Sequence, residues 1–429
     1  MGEPLLQPNP WMILPFGLLL AAIALGPLIN ANGWSRHYPK VAFGLGAVTL
    51  AYYLFGLKAH THVLHVAHEY LSFIILIGSL FVVAGGIHIS VKGEATPFEN
   101  VTFLLVGAVI ANLLGTTGAS MLLIRPWIRM NKYRITAHHV VFFIFIVSNV
   151  GGCLTPIGDP PLFLGYLKGV PFWWVAEHCW PMWLVGVGML LAMFYGVDVL
   201  NYRRAPKAVR TELAEPPDTF KFQGLHNLLF LALILGAVFV NQPVFLREAL
   251  MLAAAVGSWF TTRKQIHEAN HFNFHPIQEV AILFVGIFST MMPALDWLQA
   301  NATHYAEKLG GFSPTLFYWG SGSLSSVLDN APTYLSFLSA SAGDAVNSRA
   351  EIAALARDGD FAGLLVAISI GAVFFGANTY IGNGPNFMVK SIADHQRVRT
   401  PSFLGYVFRF ALPIMLPMLL VVWLLFFRR

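Results

Sequence analysis

The stretch TPIGDPPLF at residues 155–163 places a carboxylate, Asp159, directly before two prolines in an otherwise apolar region. Two consecutive prolines prevent an ordinary helix from continuing through this point. An unpaired carboxylate within the hydrocarbon region of a membrane costs several kcal/mol. A second stretch, TYIGNGPNF at 379–387, repeats the pattern T-x-I-G-[D/N]-x-P-x-F at an offset of 224 residues. The two stretches therefore predict equivalent broken helices, each with a polar group that needs a partner.

Four breaks are predicted, at residues 115–118, 149–161, 329–332 and 378–385, and all four are rich in side chains that carry oxygen. Carbonyls freed by broken helices, together with amides, hydroxyls and a carboxylate, suit a small hard cation such as Na⁺. Helix N-termini at such breaks favour anions, whereas C-terminal ends favour cations, so a carboxylate substrate is an alternative. The residues predicted to bind the ion or substrate are Ser148, Asn149, Thr155, Asp159, Asp329, Asn330, Asn378, Thr379 and Asn383.

Asp159 and Asp329 favour exchange of Na⁺ for H⁺ over symport of an anion. An exchanger needs a group that binds either ion, and a buried carboxylate does so because burial favours its protonated form. Helix capping is the alternative for Asp159, because Asp before Pro160 is a strong helix-start pattern. Asp329, which Asn-Ala-Pro follows, has the weaker capping pattern.

Further charged or polar residues are predicted to be linked to the proton or to support the site. Glu69 and Glu279 each open a long apolar span, where an ordinary first-turn acid is the alternative. Lys168 and Lys390 follow the two T-x-I-G motifs at similar distances and are candidate internal counter-charges, unless they extend to the membrane interface. Thr333 completes this group.

Fifteen histidines support two other hypotheses. One is a pH sensor, because histidine titrates near neutrality; its candidates are His60, His62, His65 and His68. The other is a His-rich membrane di-iron enzyme, because imidazoles four residues apart on a helix can share a metal; this involves His138–His139 and His267, His271 and His275. Such an enzyme would leave the duplicated breaks without a role, so we expect no resident metal or other cofactor, only transported Na⁺ and H⁺.

Composition indicates which elements position these residues. The chain has 429 residues, of which 56% are hydrophobic and 11% charged, far fewer charges than in a soluble domain. An all-α polytopic membrane protein with about ten to twelve crossings is therefore predicted, and nothing indicates nucleic-acid binding. Uninterrupted apolar stretches lie at 11–30, 70–91, 180–200, 228–260, 278–298 and 403–427, and shorter or interrupted ones at 41–57, 101–124, 138–168, 314–340 and 362–393.

The repeat divides the chain into two halves joined by a polar connector. Internal repeats that contain broken helices are typical of secondary transporters, whose binding site lies where the two halves meet. The predicted organisation is N-terminal spans at 1–57, a first repeat at 58–200, the connector at 201–227, a second repeat at 228–402 and a C-terminal span at 403–429.

Three stretches resemble a known superfamily of ion transporters. SNVGGCLTPIGDPPLFLGYLKGVPFWW (148–174) is similar to the signature stretch of NhaD-type sodium/proton antiporters and related citrate-transporter-like proteins. LDNAPT (328–333) and GANTYIGNGPN (376–386) resemble other breaks of this superfamily. The Ser-Asn-Thr motif of its carboxylate-transporting members is altered here, since Val150 follows Ser148-Asn149 and Ala377 precedes Asn378-Thr379.

The resemblance implies two inverted-topology repeats, each with a re-entrant hairpin and a discontinuous helix, arranged as a scaffold and a moving transport domain. It also implies a homodimer that works by an elevator-like motion in lipid, here in a bacterial inner (plasma) membrane. The expected activity is exchange of Na⁺ or Li⁺ for H⁺. Sodium-coupled symport of citrate or a dicarboxylate is the alternative.

Overall fold

The computed structural model describes residues 6–90, 95–204, 221–240, 242–270, 272–308 and 311–428. The chain is mostly helical in these ranges. The α-helices are α1 (Leu14–Ala51), α2 (His60–Gly85), α3 (Pro97–Met130), α4 (Ala137–Ile146), α5 (Pro160–Lys168), α6 (Trp174–Arg204), α7 (Asn227–Ala237), α8 (Leu246–Thr261), α9 (Lys264–Ala269), α10 (His275–Lys308), α11 (Pro314–Ser325), α12 (Asn330–Ala342), α13 (Arg349–Leu355), α14 (Gly359–Phe375), α15 (Gly384–His395), α16 (Phe403–Tyr406) and α17 (Leu416–Phe426).

Shorter elements extend or connect these helices. The 3₁₀ turns are Pro10–Ile13, Val150–Gly152, Gly343–Asn347 and Gly376–Asn378, and the π-helical segments are Tyr52–Gly56 and Val407–Met415. Strands β1 (His88–Ser90) and β2 (Lys221–Gln223) form an antiparallel pair in which Ile89 lies opposite Phe222. Most of the predicted polar connector, residues 205–220, lies outside the described ranges.

Six helical segments in the described ranges are long and apolar enough to cross a membrane. They are His60–Gly85, Pro97–Met130, Trp174–Arg204, His275–Leu298, Gly359–Asn378 and Phe403–Phe426. Apolar side chains on their outer faces, such as Leu184 and Leu200 of α6, are more than half exposed, as expected of residues that contact lipid. The protein is therefore a multi-pass, α-helical membrane protein.

Two apolar regions are each divided into two helical parts, as predicted. The separate stretches at 11–30 and 41–57 fall on the two parts of α1, which is divided where Asn30 has non-helical φ and ψ of −153° and 87°. The stretch at 228–260 contains two helices, α7 and α8, with Pro243 between them. A proline has no backbone N–H to donate and its ring clashes with the preceding turn, so it disfavours a continuous helix.

The four predicted breaks are present. Gly115 interrupts α3 with a φ of 73°, a conformation that glycine adopts at little cost. The others separate α4 from α5, α11 from α12 and α14 from α15. Helix α5 packs on α12, and α15 packs on α3 and α4. Helices α4 and α14 are buried nearly all round, so the breaks meet in the protein interior, where other parts of the chain can satisfy the freed backbone groups.

Candidate ion-binding site

Asp159 is fully buried at the start of α5, and its carboxylate faces three neutral donors from three different breaks. Thr116 Oγ1 donates to Oδ1 at 2.8 Å, and Asn383 Nδ2 donates to the same oxygen at 3.0 Å. Asn330 Nδ2 donates to Oδ2 at 2.6 Å. Among the described residues, no Lys, Arg or His lies within ion-pair distance of this carboxylate. A charged Asp159 therefore needs a bound cation, and an uncharged one needs a proton.

Asn330 adds an oxygen that has no donor. Its Nδ2 is used by Asp159, and its Oδ1 is buried without a hydrogen-bond partner in the described part of the chain. A buried amide oxygen without a donor is unfavourable. A cation beside Asp159 would give this oxygen a partner, so the arrangement is typical of a site for a small cation.

The local sequence explains why Asp159 points away from its own helix. Pro160 starts α5, and Asp159 is extended, with φ and ψ of −142° and 143°. This is an N-cap backbone, but the carboxylate makes no capping hydrogen bond. Gly158 allows the close approach that this requires, because a Cβ there would lie 2.0 Å from the carbonyl oxygen of Gly152. The backbone of α3 fixes the turn from the other side, since Thr116 N donates to Gly158 O at 2.8 Å.

An asparagine network joins the two halves of the chain beside Asp159. Asn383 Nδ2 lies within hydrogen-bond distance of the Ser148 carbonyl and of Asn149 Oδ1, at 3.1 and 3.2 Å. Asn149 Nδ2 donates to Asn386 Oδ1 at 2.7 Å, and Asn386 donates back to the carbonyls of Gly376 and Thr379. The Ser148 hydroxyl is bonded to that of Ser120 at 2.8 Å. The network holds the T-x-I-G turns of the two halves against each other.

Thr155 and Thr379 make the same pair of hydrogen bonds in their respective halves. The Thr155 hydroxyl donates to the Asn112 carbonyl at 2.6 Å and accepts from Gly158 N at 3.1 Å. The Thr379 hydroxyl donates to the Ser326 carbonyl at 2.7 Å and accepts from Gly382 N at 3.0 Å. Each threonine thereby ties its turn to the break in the preceding helix, and neither hydroxyl bonds to Asp159.

Asp329 has a different environment from Asp159. It is half-buried, and its Oδ1 accepts from Ala331 N at 3.0 Å, so it caps α12. The prediction that Asp159 has the stronger capping pattern was wrong, because Asp329 makes a side-chain capping hydrogen bond and Asp159 does not. The two prolines after Asp159 fix its backbone in the N-cap conformation, but they have no N–H groups for its carboxylate to accept from. The Thr333 hydroxyl donates to the Asp329 carbonyl within α12. Asn378 lies nearby and donates to the Ser326 hydroxyl at 2.9 Å.

The structure thus brings together Asp159, Asn330, Asn383, Asn149 and Ser148, while Asn378, Thr379 and Asp329 surround a neighbouring turn.

The prediction omitted Thr116, Asn112 and Asn386. Thr116 and Asn386 lie inside the stretches quoted above. Their oxygen-bearing side chains at a break were the sequence signal that could have identified them. Asn112 lies one turn before Gly115, where only the folded contacts reveal that it bonds to Leu154 N and Gly151 O.

A small cavity adjoins Asp159. It has a volume of about 20 Å³ and lies between α2 and the turns at 114–118 and 156–160. Phe73, Leu76 and Leu80 of α2 form its apolar wall. A cavity of this size holds roughly one water-sized particle, so it can admit a single ion.

Two of the predicted charged residues form a buried ion pair away from Asp159. Lys168, the last residue of α5, lies 2.8 Å from Glu69 of α2, and both side chains are about nine-tenths buried. Lys390 instead pairs with Asp394 within α15 at 2.5 Å. Glu279 is half-buried on α10, and no hydrogen bond joins it to the other described site residues.

Three of the four histidines near the start of α2 each face a carboxylate. His62 lies 3.5 Å from Asp296, His65 3.2 Å from Glu69 and His68 3.9 Å from Glu248. His60 is exposed at the helix start. These histidines do not converge on one another in the described structure.

One group in the described ranges has the composition of a metal site, and it contains the predicted pair His138–His139 together with Asp198. Ligand atoms of His138, His139 and Asp198 lie within 4.8 Å of one another. Arg134 donates to both oxygens of Asp198, so the carboxylate is already paired with a cation and fits a metal poorly. The other predicted histidine cluster includes His267 and His271. Burial lowers the pKa of His267. His271 lies outside the described residues.

Comparison with protein-family models gives a match over nearly the whole chain. A family model described as "Putative citrate transport" matches residues 6–427, nearly the whole chain. No curated protein matches the sequence. The family match and the long apolar helices both indicate a membrane transporter.

Proposed function

The chain belongs to the citrate-transport family whose model it matches, and we propose that it is a secondary active transporter that exchanges Na⁺ or Li⁺ for H⁺. Asp159 binds the cation in one part of the cycle and a proton in the other. Each ion can leave only when the other replaces it, because an empty, charged Asp159 would be a buried carboxylate without compensation.

The observation that carries this proposal is the set of partners around Asp159. All three hydrogen-bond donors to its carboxylate are neutral, and Asn330 Oδ1 beside it has no donor in the described part of the chain. One cation satisfies both groups. A proton satisfies the carboxylate and leaves the amide oxygen without a partner, so the two ions compete for one place.

Sodium-coupled symport of citrate or a dicarboxylate is the second candidate, because the family description names citrate. The cavity of about 20 Å³ beside Asp159 supports the first candidate, since it can hold one ion. The altered Ser-Asn-Thr motifs, with Val150 and Ala377 at the changed positions, favour it as well.

We further propose two inverted repeats that move as part of a transport domain, in a homodimer in a bacterial inner membrane. The equivalent hydrogen bonds of Thr155 and Thr379 support the repeats. So do Gly158 and Gly382, where a Cβ would lie 2.0 and 2.6 Å from the carbonyl oxygens of Gly152 and Gly376.

The test uses the purified protein in liposomes with a trapped pH dye, to which NaCl and then citrate are added. Sodium alone is expected to drive a proton flux, which Asp159→Asn abolishes. Asp394→Asn is the matched control, because Asp394 is an exposed acid on α15 paired with Lys390; it should leave the flux unchanged. A flux that needs citrate as well as sodium would instead establish the symporter.

A further inference from the structure

Asn383 occupies in the second half of the chain the position that Asp159 occupies in the first. The repeated stretches align the two residues, and each precedes a helix that has a proline in its first turn. Both backbones are extended, with φ and ψ of −142° and 143° at Asp159 and −153° and 138° at Asn383, and neither side chain caps its own helix. Both residues are buried. The two positions are therefore structurally equivalent, but one holds a carboxylate and the other an amide.

The amide nitrogen of Asn383 lies among more acceptors than it has hydrogens. Its Nδ2 is 3.0 Å from Asp159 Oδ1, 3.1 Å from the Ser148 carbonyl oxygen and 3.2 Å from Asn149 Oδ1. A side-chain amide nitrogen carries two hydrogens, so these three oxygens cannot all receive a full hydrogen bond at once. Carboxylate, carbonyl and amide oxygens are also the ligands that hard cations prefer. The oxygens around Nδ2 thus have the composition of a small cation site that a neutral donor fills.

This group of oxygens adjoins one oxygen of the Asp159 carboxylate, and Asn330 adjoins the other. Asn383 donates to Oδ1 of Asp159, whereas Asn330 donates to Oδ2 and has a buried oxygen without a donor in the described structure. A cation that binds between Asp159 and Asn330 therefore leaves the Asn383 amide in place. A carboxylate at position 383 would contact that of Asp159, and two carboxylates in contact cannot both be ionised unless a cation compensates them.

We propose that Asn383 sets the number of ions that the site exchanges: its amide fills the place of a second cation, so that one Na⁺ replaces one H⁺ and the exchange is electroneutral. The inference rests on the proposed exchange of Na⁺ for H⁺. When Na⁺ leaves, a proton bonds to a carboxylate oxygen of Asp159, and when that proton leaves, Na⁺ compensates the same charge. The site carries no net charge in either state, because the donors to Asp159 are neutral in both.

The first test asks whether the membrane potential drives the exchange. Wild-type protein in liposomes is given a fixed tenfold proton gradient, and the potential is set with K⁺ and valinomycin. A potential acts only on net charge that crosses the membrane. The exchange should therefore come to balance at about a tenfold sodium gradient, whatever the potential. Balance at about a hundredfold sodium gradient, or a balance that shifts with the potential, would overturn the proposal because it requires more than one proton per Na⁺.

The second test places a carboxylate at the second position. Asn383→Asp replaces the donor among these oxygens by a further acceptor, so each carboxylate needs a proton or a cation of its own. On saturation with Na⁺, the variant is expected to bind about two Na⁺ and release about two protons, against about one of each for the wild-type protein.

Asn378→Asp is the matched control for Asn383→Asp. Asn378 lies in the same break but donates to the Ser326 hydroxyl and not to Asp159, so a carboxylate there should leave the release at about one proton. Release of about one proton from folded Asn383→Asp protein as well would overturn the proposal, because position 383 would then not adjoin a place for a second cation.

The double variant Asp159→Asn/Asn383→Asp keeps the composition of the site and exchanges its two groups, so it avoids two carboxylates in contact. If the oxygens around position 383 can hold a cation, this variant recovers sodium-driven flux that Asp159→Asn alone lacks, at no less than about a tenth of the wild-type rate. Absence of flux from folded, swapped protein would overturn the assignment of a cation place to these oxygens.

The two proposals fail in different ways. Absence of sodium-driven flux in the wild-type protein would refute the exchange itself. Sodium-driven flux that responds to the membrane potential, or release of a single proton from Asn383→Asp, would refute only the role of Asn383.

Discussion

Asp159 and Asp329 lie at corresponding kinds of break but differ in what surrounds each carboxylate. Asp159 is fully buried and accepts hydrogen bonds from side chains of three breaks, whereas Asp329 accepts one from the backbone of its own helix. The breaks in the sequence were sufficient to name Asp159, Asn330 and Asn383 as candidates, and the structure places these side chains in contact. They were not sufficient to separate these from Asn378, because that depends on contacts between residues more than 150 positions apart.

Asn330→Ala is expected to raise the half-saturating Na⁺ concentration at least tenfold, equivalent to about 1.4 kcal/mol. The reason is that its Oδ1 is the one buried side-chain oxygen beside Asp159 without a donor in the described structure. Asn378→Ala is the matched control, since Asn378 bonds to Ser326, and should change the value by less than about threefold. The measurement is the Na⁺ dependence of proton flux. Equal effects of the two variants would contradict this assignment.

Asp329→Ser tests whether the second carboxylate binds an ion or caps α12. A serine hydroxyl can replace the carboxylate as N-cap at small cost. We expect the variant to keep its melting temperature within a few degrees and to retain most of its sodium-driven flux, whereas Asp159→Ser loses it. Complete loss of flux from folded Asp329→Ser protein would place Asp329 in the ion site instead.

At the scale of elements, the breaks follow from proline and glycine and were predictable. Pro160 and Gly115 interrupt helices where the sequence places them. The division of α1 at Asn30 agrees with the two separate apolar stretches predicted at 11–30 and 41–57. How tightly the turns pack was not predictable either, since the contact of Gly158 with Gly152 depends on the folded turn.

Gly158→Ala should lower the melting temperature markedly and reduce flux. Its Cβ would lie 2.0 Å from the Gly152 carbonyl oxygen, so the backbone must shift, with an expected cost of about 1–3 kcal/mol. Gly188→Ala in α6 is the control, because nothing lies within 4 Å of its added Cβ, and alanine favours a helix by ~1 kcal/mol. Thermal unfolding in detergent compares them. Unchanged stability of Gly158→Ala would show that the turn is looser than described.

At the scale of the whole molecule, the site joins parts of the chain that are distant in sequence. Asp159 accepts from Asn383, and Asn149 donates to Asn386, so the two motifs that resemble each other in sequence also contact each other. Composition and the repeated motif predicted a multi-pass helical protein with a site at the junction of its halves. Which amide contacts which carbonyl depends on how the helices pack, and the repeated motif alone did not predict it.

Thr155→Val and Thr379→Val should destabilise the protein by similar amounts, about 1–3 kcal/mol each. Each change removes the hydroxyl that joins a backbone carbonyl to the N–H of Gly158 or Gly382. Thr379→Val also removes the weaker bond from Ile381 N, at 3.3 Å. Thr102→Val is the control, since the Thr102 hydroxyl bonds only within its own exposed helical turn. Melting temperatures measure the effect. A large loss for only one of the two threonines would contradict their equivalence.

The most direct test of the account is whether Na⁺ binding displaces a proton from Asp159. The measurement is proton release, followed with a pH dye, when NaCl is added to purified protein in weakly buffered detergent solution. Exchange at Asp159 predicts release of about one proton per bound Na⁺ from the wild-type protein and neither binding nor release in Asp159→Asn. Sodium binding without proton release, or undiminished binding by Asp159→Asn, would contradict it.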